Sequence, residues 1–202
     1  MIGKWNKSVI LTYIGLAVAV FGIVLAITGK DVKYAYSCLM VAGICDLFDG
    51  MVARKCKRTE EEKQFGIELD SLVDVVNFVA LPITLFIAIG LKSLWFTPLF
   101  ALFAIAGVAR LGYFNVVTAD ANGPVKFYTG LPVTFSALIF PLLYLLSVPM
   151  GEKYFLIVYA IMIGVVSILQ IAKIKIPKPK GIAYAIFGLL AIVMLVVFLV
   201  FL

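Results

Sequence analysis

The chain has 202 residues, of which 64% are hydrophobic and only 14% are charged, and its mean hydropathy is +1.14. Soluble domains are about half apolar and about a quarter charged, so this composition excludes a soluble domain and indicates an integral membrane protein. The net charge of +6 fits basic loops facing anionic lipid, with no nucleic-acid partner, and the absence of histidine excludes imidazole chemistry.

Hydrophobic runs of about 20 residues, the length of a transmembrane helix, predict seven spans. In chain order they cover residues 9–28, 33–53, 67–90, 94–117, 131–148, 153–172 and 181–202. These spans leave only short loops, so we expect an all-α, polytopic transmembrane helical bundle of about six to eight helices. We expect it to form a single catalytic domain over residues 1–202. Pro82 predicts a kink in the third span, and the uncharged last segment either crosses the membrane or lies against it as a re-entrant or dimer-facing helix.

The distribution of lysine and arginine predicts the orientation of these spans. Basic residues are concentrated in the N-terminal segment and in the loops 54–66, 118–130 and 173–180. The positive-inside rule places such segments in the cytoplasm. We therefore predict a multi-pass protein of the cell membrane whose N-terminus lies inside.

Four aspartates occupy the ends of two hydrophobic segments, where acidic residues are rare. Asp46 and Asp49 are three residues apart in the second span, and Asp70 and Asp74 are four residues apart in the third. Each spacing places both carboxylates on one helix face, and the intervening loop makes the two helices antiparallel neighbours. A carboxylate at the centre of a membrane helix costs about 2.5–3.5 kcal/mol on insertion scales. The four together therefore predict a compensating ligand.

The residue types near these aspartates indicate which ligand this is. Carboxylates without histidine or cysteinate suit a hard cation such as Mg²⁺, Mn²⁺ or Ca²⁺. Gly50 and Ala53 leave the helix surface open, and Arg54 offers a planar guanidinium to phosphate oxygens. A metal and an arginine beside carboxylates indicate phosphoryl transfer. Two alternatives are ion pairs with Arg54, Lys55 and Arg58 at the helix end, and the ion site of a cation transporter.

The spacing of these residues resembles a family signature. Residues 46–54 read D-L-F-D-G-M-V-A-R, and after eleven further residues 66–74 read G-I-E-L-D-S-L-V-D. This is similar to the signature of the CDP-alcohol phosphatidyltransferases, D-x2-D-G-x2-A-R-x(8–9)-G-x3-D-x3-D, at all eight fixed positions. The loop between Arg54 and Gly66 is two or three residues longer than in the signature, an extension that an exposed loop accommodates.

Three further segments resemble the integral-membrane phosphatidylserine synthases of that family. Residues 70–82 (D-S-L-V-D-V-V-N-F-V-A-L-P) are similar to D-S-L-A-D-V-V-S-F-G-V-A-P in those enzymes. Residues 110–115 (R-L-G-Y-F-N) resemble R-L-A-R-F-N, and residues 127–132 (F-Y-T-G-L-P) resemble F-x-G-L-P. The departures are Asn77 for serine, Val79 for glycine and Tyr113 for the second arginine. They concern the acceptor alcohol more than the type of reaction.

The resemblance implies a homodimeric enzyme that transfers a phosphatidyl group from a CDP-lipid, CDP-diacylglycerol or CDP-archaeol, to L-serine and releases CMP. Its site opens to the cytoplasm and the inner leaflet. The nearest alternative is the same transfer to another alcohol, such as glycerol 3-phosphate or an inositol phosphate.

The resemblance also implies roles for individual residues. Asp46, Asp49 and Asp70 would hold a first Mg²⁺ or Mn²⁺ ion, and Asp74 would help to hold a second ion and act as the general base. Residues implied for the CDP-lipid site are Gly50, Ala53, Arg54, Gly66, Thr12 and Thr59. Intramembrane Arg110 either binds the serine carboxylate or pairs with one of the aspartates. Asn77 either contacts serine or forms a hydrogen bond between helices.

Overall fold

The computed structural model describes residues 3–119, 127–146, 149–177 and 182–202 of the chain. Within these ranges it contains seven helices and one short antiparallel ribbon. The helices are α1 (Ile10–Ile27), α2 (Val32–Lys55), α3 (Glu60–Ala88), α4 (Thr97–Ala119), α5 (Ser136–Leu145), α6 (Glu152–Ile171) and α7 (Ile182–Val200). The ribbon pairs β1 (Phe127–Thr129) with β2 (Lys175–Pro177), and Tyr128 lies opposite Ile176. The predicted all-α helical bundle is confirmed.

Five of the helical segments are long and apolar enough to cross a membrane: α1, α2, α3, α6 and Leu94–Val117, which includes most of α4. In the other two helices the apolar stretches are shorter, at Val133–Leu145 and Ile186–Val200. The described residues therefore fill the predicted spans 131–148 and 181–202 only in part. The predicted basic loops 118–130 and 173–180 also lie partly outside the described residues.

Small residues allow α1 and α2 to pack closely along their lengths. Gly15, Ala19, Gly22 and Ala26 recur along the buried face of α1. A β carbon added at Gly22 would lie 2.7 Å from the β carbon of Cys38, so a larger residue would push the two backbones apart. This packing brings the start of α1 beside the end of α2, where two of the aspartates lie.

The polar start of α3 is fixed by a capping box. The Thr59 hydroxyl accepts a hydrogen bond of 3.2 Å from the Glu62 backbone N–H, and the Glu62 carboxylate accepts one of 2.9 Å from the Thr59 N–H. Farther along, the helix widens into a π-helical turn at Val76–Ala80, directly before Leu81 and Pro82. Proline lacks an N–H and crowds the carbonyl four residues earlier, so this wider turn accommodates the residue at which a kink is predicted.

Aromatic side chains fill the end of the bundle away from the aspartates. Tyr36, Phe140, Tyr159 and Phe198 are fully or almost fully buried. The hydroxyls of Tyr36 and Tyr159 are 2.6 Å apart, and the Tyr159 hydroxyl donates a 3.1 Å hydrogen bond to the carbonyl of Phe140. Tyr36 precedes Asp46 by ten residues, which is about 15 Å along α2 at 1.5 Å per residue. We call these four residues the aromatic cluster.

Candidate active site

Helices α2 and α3 bring the four predicted aspartates together. Carboxylate oxygens of Asp46, Asp49 and Asp70 lie within 4.8 Å of one another. Asp74 follows Asp70 by one turn of α3 and borders the same cavity as the other three aspartates. Asp49 and Asp74 are buried, whereas the other two are half-buried. These four residues are called the aspartate cluster.

None of the four aspartates forms an ion pair within the described residues. The ion pairs within 4.0 Å there are Lys4–Glu61, Lys33–Asp31 and Lys63–Glu60. The alternative interpretation, in which basic residues at the helix end neutralise the aspartates, is therefore disfavoured in this part of the chain. The concentrated negative charge instead suits a bound cation.

The spacing of the carboxylates fits a divalent ion. Magnesium binds oxygen at about 2.0–2.1 Å, so two ligands on opposite sides of the ion are about 4.2 Å apart. The 4.8 Å limit on the separations within the Asp46, Asp49 and Asp70 group is close to this value. Small side-chain rotations would therefore bring three hard oxygen donors to bonding distance. The donor set suits Mg²⁺ or Mn²⁺.

Thr12 supports this group from α1. Its Oγ1 donates a 2.9 Å hydrogen bond to Oδ2 of Asp49, and both residues are buried. Thr12, Gly15 and Asn77 border a small crevice beside the aspartate cluster. The Oδ1 atom of Asn77 has no hydrogen-bond partner among the described residues. Because the Thr12 hydroxyl donates to Asp49, Thr12 influences the site through that carboxylate.

A larger cavity of about 450 Å³ also borders the aspartate cluster, and its volume is typical of a small-molecule site. Much of its apolar lining comes from α2, α5 and α7, including Leu47, Leu138 and Ala191. Polar lining comes from α2, α3, α4 and β1. Outside the aspartate cluster, the polar and basic side chains of this lining include Arg54, Ser71, Arg110, Asn115 and Tyr128. The cavity can therefore hold a ligand that has both polar and apolar parts.

Arg110 reaches this cavity from α4 and is only 7% exposed. Its guanidinium carbon lies 5.2 Å from the ring centre of Phe114 and 5.7 Å from that of Tyr128. Its Nε has no hydrogen-bond partner in the described residues, and the guanidinium forms no ion pair within 4.0 Å there. Arg110 borders the same cavity as Asp46 and Asp74. Because Arg110 is not held by an aspartate, this arrangement favours binding of an anion from the cavity.

The remaining predicted residues separate into two groups. Gly50 and Arg54 line the cavity, and a β carbon added at Gly50 would lie 3.6 Å from an Nη atom of Arg54. Ala53, Gly66 and Thr59 do not line the described cavity. The Thr59 hydroxyl caps α3, as described above, and Gly66 borders the guanidinium of Arg58. A β carbon at Gly66 would lie 3.7 Å from an Nη atom of that arginine.

Polar residues that line the cavity but were not singled out by the sequence include Ser71, Asn115 and Tyr128. The Asn115 side-chain amide donates a 2.8 Å hydrogen bond to the Ser71 hydroxyl, which joins α4 to α3. All three lie within the segments 70–82, 110–115 and 127–132, whose similarity to phosphatidylserine synthases is described above. That similarity was the available signal, although it does not indicate which side chains face the cavity.

The model of the CDP-alcohol phosphatidyltransferase family matches residues 5–202, and the chain belongs to this family of membrane transferases. The chain is similar to the CDP-diacylglycerol–serine O-phosphatidyltransferase of Saccharomyces cerevisiae, at 34% identity over 126 residues. That match covers 58% of this chain but only 45% of the yeast enzyme.

Two prokaryotic relatives are similar over more of their length. Archaetidylserine synthase of Methanothermobacter thermautotrophicus is 30% identical over 173 residues, which cover 85% of this chain and 70% of that enzyme. The CDP-diacylglycerol–serine O-phosphatidyltransferase of Bacillus subtilis is 31% identical over 137 residues, covering 67% of this chain and 70% of that enzyme. The predicted family is thus confirmed, and together with the five long apolar segments it establishes an integral membrane protein.

Proposed function

We propose that the protein transfers a phosphatidyl group from a CDP-lipid to the hydroxyl of L-serine and releases CMP. The observation that carries the choice of serine is buried Arg110, whose guanidinium faces the same cavity as Asp74. A planar carboxylate is a natural partner for such a group. Serine supplies both the nucleophilic hydroxyl and the carboxylate. The names of the yeast, archaeal and bacterial relatives support the same acceptor.

The proposed cofactor is Mg²⁺ or Mn²⁺, with two ions bound. Asp46, Asp49 and Asp70 would hold the first ion, and Asp74 would contribute to the second. When bound, the metal would neutralise charge on the pyrophosphate of the CDP-lipid. Thr12 would keep Asp49 oriented through the hydrogen bond described above.

In the proposed reaction, Asp74 is the general base. Its carboxylate accepts the proton of the serine hydroxyl as the serine oxygen attacks the lipid-bearing phosphorus. A new phosphorus–oxygen bond forms, and the bond from that phosphorus to the bridging oxygen of CMP breaks. The bond's electron pair leaves with CMP. Arg54, at the cavity wall, would stabilise the phosphate oxygens.

The CDP-lipid would lie along both types of cavity wall. Gly50 and Arg54 would contact the nucleotide and its phosphates, with Ala53, Gly66 and Thr59 as further predicted contacts nearby. The apolar lining from α2, α5 and α7 would face the lipid chains. Such a surface accommodates the acyl chains of diacylglycerol and the isoprenoid chains of archaeol.

The proposed setting is the cell membrane, with the whole chain as one catalytic domain and as a homodimer. The N-terminus and the cavity mouth would face the cytoplasm, according to the positions of the basic loops. Cysteine variants of exposed Lys57 and Lys92 test this orientation when they are labelled in sealed vesicles with a membrane-impermeant reagent. Both are made in a Cys56→Ser background, because the free Cys56 beside Lys57 would otherwise react as well. Labelling of both variants from the same side would contradict it.

An acceptor panel tests the reaction. Purified protein receives CDP-diacylglycerol or CDP-archaeol with Mg²⁺, and CMP is measured with L-serine, glycerol 3-phosphate, inositol phosphate or no acceptor. We expect CMP release to depend on serine. Release with glycerol 3-phosphate or inositol phosphate but not with serine would overturn the proposed acceptor, and cation flux into vesicles without CMP release would overturn the enzymatic assignment.

Substitution of Asp74 tests the proposed base. Asp74→Asn should reduce serine-dependent CMP release by at least about 10²-fold, the lower end of general-base effects, while CDP-lipid binding remains measurable. Asp31→Asn is a matched control, because Asp31 caps α2 by accepting a hydrogen bond from the Lys33 N–H and lies outside the cluster. Normal turnover of Asp74→Asn would remove Asp74 as the base.

Arg110 and Asn77 are tested separately, since they border different spaces beside the cluster. Arg110→Lys should raise the KM for serine, because a lysine cannot reproduce a planar fork of donors. A serine contact of Asn77 stays a prediction. If Asn77 contacts serine, Asn77→Ala should also raise the KM for serine.

A further inference from the structure

The guanidinium of Arg110 packs beside two aromatic rings that come from different elements. Phe114 follows Arg110 by one turn of α4, so its ring is supplied by the same helix. Tyr128 is supplied by β1, and its ring centre lies 5.7 Å from that of Phe114. The three side chains therefore form one group. The helix alone places Phe114 beside Arg110, whereas Tyr128 reaches Arg110 only through the tertiary structure.

The position of Tyr128 is fixed by backbone contacts on both sides. Within the ribbon it lies opposite Ile176. Two residues later, the Gly130 N–H donates a 2.9 Å hydrogen bond to the Ile174 carbonyl, and the Leu131 N–H donates one of 2.8 Å to the Leu169 carbonyl. These bonds anchor β1 to the end of α6 and to the segment that follows it. Tyr128 is thus held over Arg110 by the backbone of the ribbon.

Aromatic rings packed against a guanidinium restrict the positions from which it can bind an anion. Aromatic faces attract the cation by up to about 2 kcal/mol when water is excluded. The N–H donors of arginine point outward in the plane of the group, where they match the two oxygens of a carboxylate. Phe114 and Tyr128 therefore stabilise the buried charge, and their rings limit the positions that the guanidinium can take beside the cavity.

We propose that Tyr128 is a specificity-determining residue, which positions Arg110 to select acceptor alcohols that carry a carboxylate. This inference rests on the proposed transfer to serine. Ethanolamine is serine without its carboxylate, so the ratio of kcat/KM for serine to that for ethanolamine measures the selection directly. A merely structural contribution of Tyr128 would change the rates with both acceptors together.

The experiment compares Tyr128 variants of the full-length protein with CDP-diacylglycerol and Mg²⁺. Tyr128→Phe keeps the ring and should leave the KM for serine within about twofold of the original protein. Tyr128→Leu fills similar space without an aromatic face, and Tyr128→Ala removes the side chain. Both should raise the KM for serine about 10–30-fold, which corresponds to about 1.4–2 kcal/mol, and should leave kcat/KM for ethanolamine unchanged.

Phe127→Ala is the matched control, because Phe127 neighbours Tyr128 on the same strand, is 51% exposed and does not line the described cavity. It should keep the serine KM. If Tyr128→Ala does not fold, the leucine variant decides the result. An unchanged serine-to-ethanolamine ratio in a folded leucine or alanine variant would overturn this inference. Absence of serine-dependent CMP release from the original protein would instead overturn the proposed function.

Discussion

Removing the hydroxyl of Thr12 should weaken metal binding without touching a metal ligand. Thr12→Val preserves the shape of the side chain but removes the donor that lies 2.9 Å from Oδ2 of Asp49. A hydrogen bond to a charged group contributes about 1.5–3 kcal/mol. The ionised carboxylate, which is the form that binds a cation, loses this stabilisation, whereas the protonated form loses less.

The size of the expected effect follows from that loss. At 1.4 kcal/mol for each factor of ten, 1.5–3 kcal/mol corresponds to an affinity change of roughly 10–100-fold. Partners that orient metal ligands contribute a similar factor in other metal sites. We therefore expect the Mg²⁺ concentration for half-maximal CMP release to rise about 10–100-fold in Thr12→Val, with little change in the maximal rate.

Two measurements and two controls make this test specific. Besides CMP release, the rise in unfolding temperature with added Mg²⁺ reports binding without chemistry. Thr12→Ser retains a donor and should behave like the original protein. In Thr84→Val, the lost hydroxyl is one that donates, among the described residues, to the carbonyl of Leu81 in its own helix, so the metal dependence should not change. A Thr12→Val protein with the original Mg²⁺ dependence in both measurements would refute the reasoning.

Three further predictions concern packing, the ribbon and the metal. Gly22→Ala should lower the free energy of unfolding by about 1–3 kcal/mol, because the added β carbon would lie 2.7 Å from that of Cys38. Gly112→Ala is the control and should be neutral or stabilising, because an added β carbon there would meet no described atom within 4 Å. Equal thermal stability of the Gly22 and Gly112 variants would contradict the close packing. Gly130→Ala should raise the serine KM, because Gly130 has φ +75° and an added β carbon would clash with the Gln170 carbonyl oxygen. Gly151→Ala, at φ −62°, is the control, and an unaltered KM in Gly130→Ala would exclude a role for the ribbon in serine binding. Chelation should abolish CMP release and added Mg²⁺ or Mn²⁺ should restore it, whereas full activity in chelator would exclude a divalent cofactor.

The aspartate cluster illustrates how much of the site local rules can predict. Spacings of three and four residues place Asp46 with Asp49, and Asp70 with Asp74, on single helix faces. The short connection at residues 56–59 makes the two helices antiparallel, so the faces meet. No contact with a distant part of the chain is needed for this part of the site. The sequence could therefore predict it.

The surroundings of Arg110 depend on contacts that are distant in sequence. Tyr128 reaches the guanidinium because β1 pairs with β2, a strand 46 to 50 positions farther along the chain. Three-residue strands give no reliable alternation of apolar and polar residues, so hydropathy alone could not predict this pairing. The π-helical turn before Pro82 is similar, because a proline predicts a disturbed helix but does not determine how the disturbance is accommodated.

Boundaries were predictable where side chains cap a helix and poorly predictable where hydropathy alone was used. Hydropathy begins the third span at residue 67, but α3 begins seven residues earlier, at Glu60. The Thr59–Glu62 capping box is a sequence signal for that earlier start. Hydropathy responds to the membrane environment and therefore misses the polar turns of a helix that extend beyond it.

The aromatic cluster bears on a general requirement of enzymes built within a bilayer, which must not conduct ions. A hydrated passage through the protein would let ions flow down their gradients, and each elementary charge releases about 2.3 kcal/mol per 100 mV of membrane potential. Tyr36 and Tyr159 join their hydroxyls to each other, and the rings around them fill the described core beyond the cavity. In a membrane protein, dense packing of this kind is expected to prevent an internal polar site from becoming a path for ions.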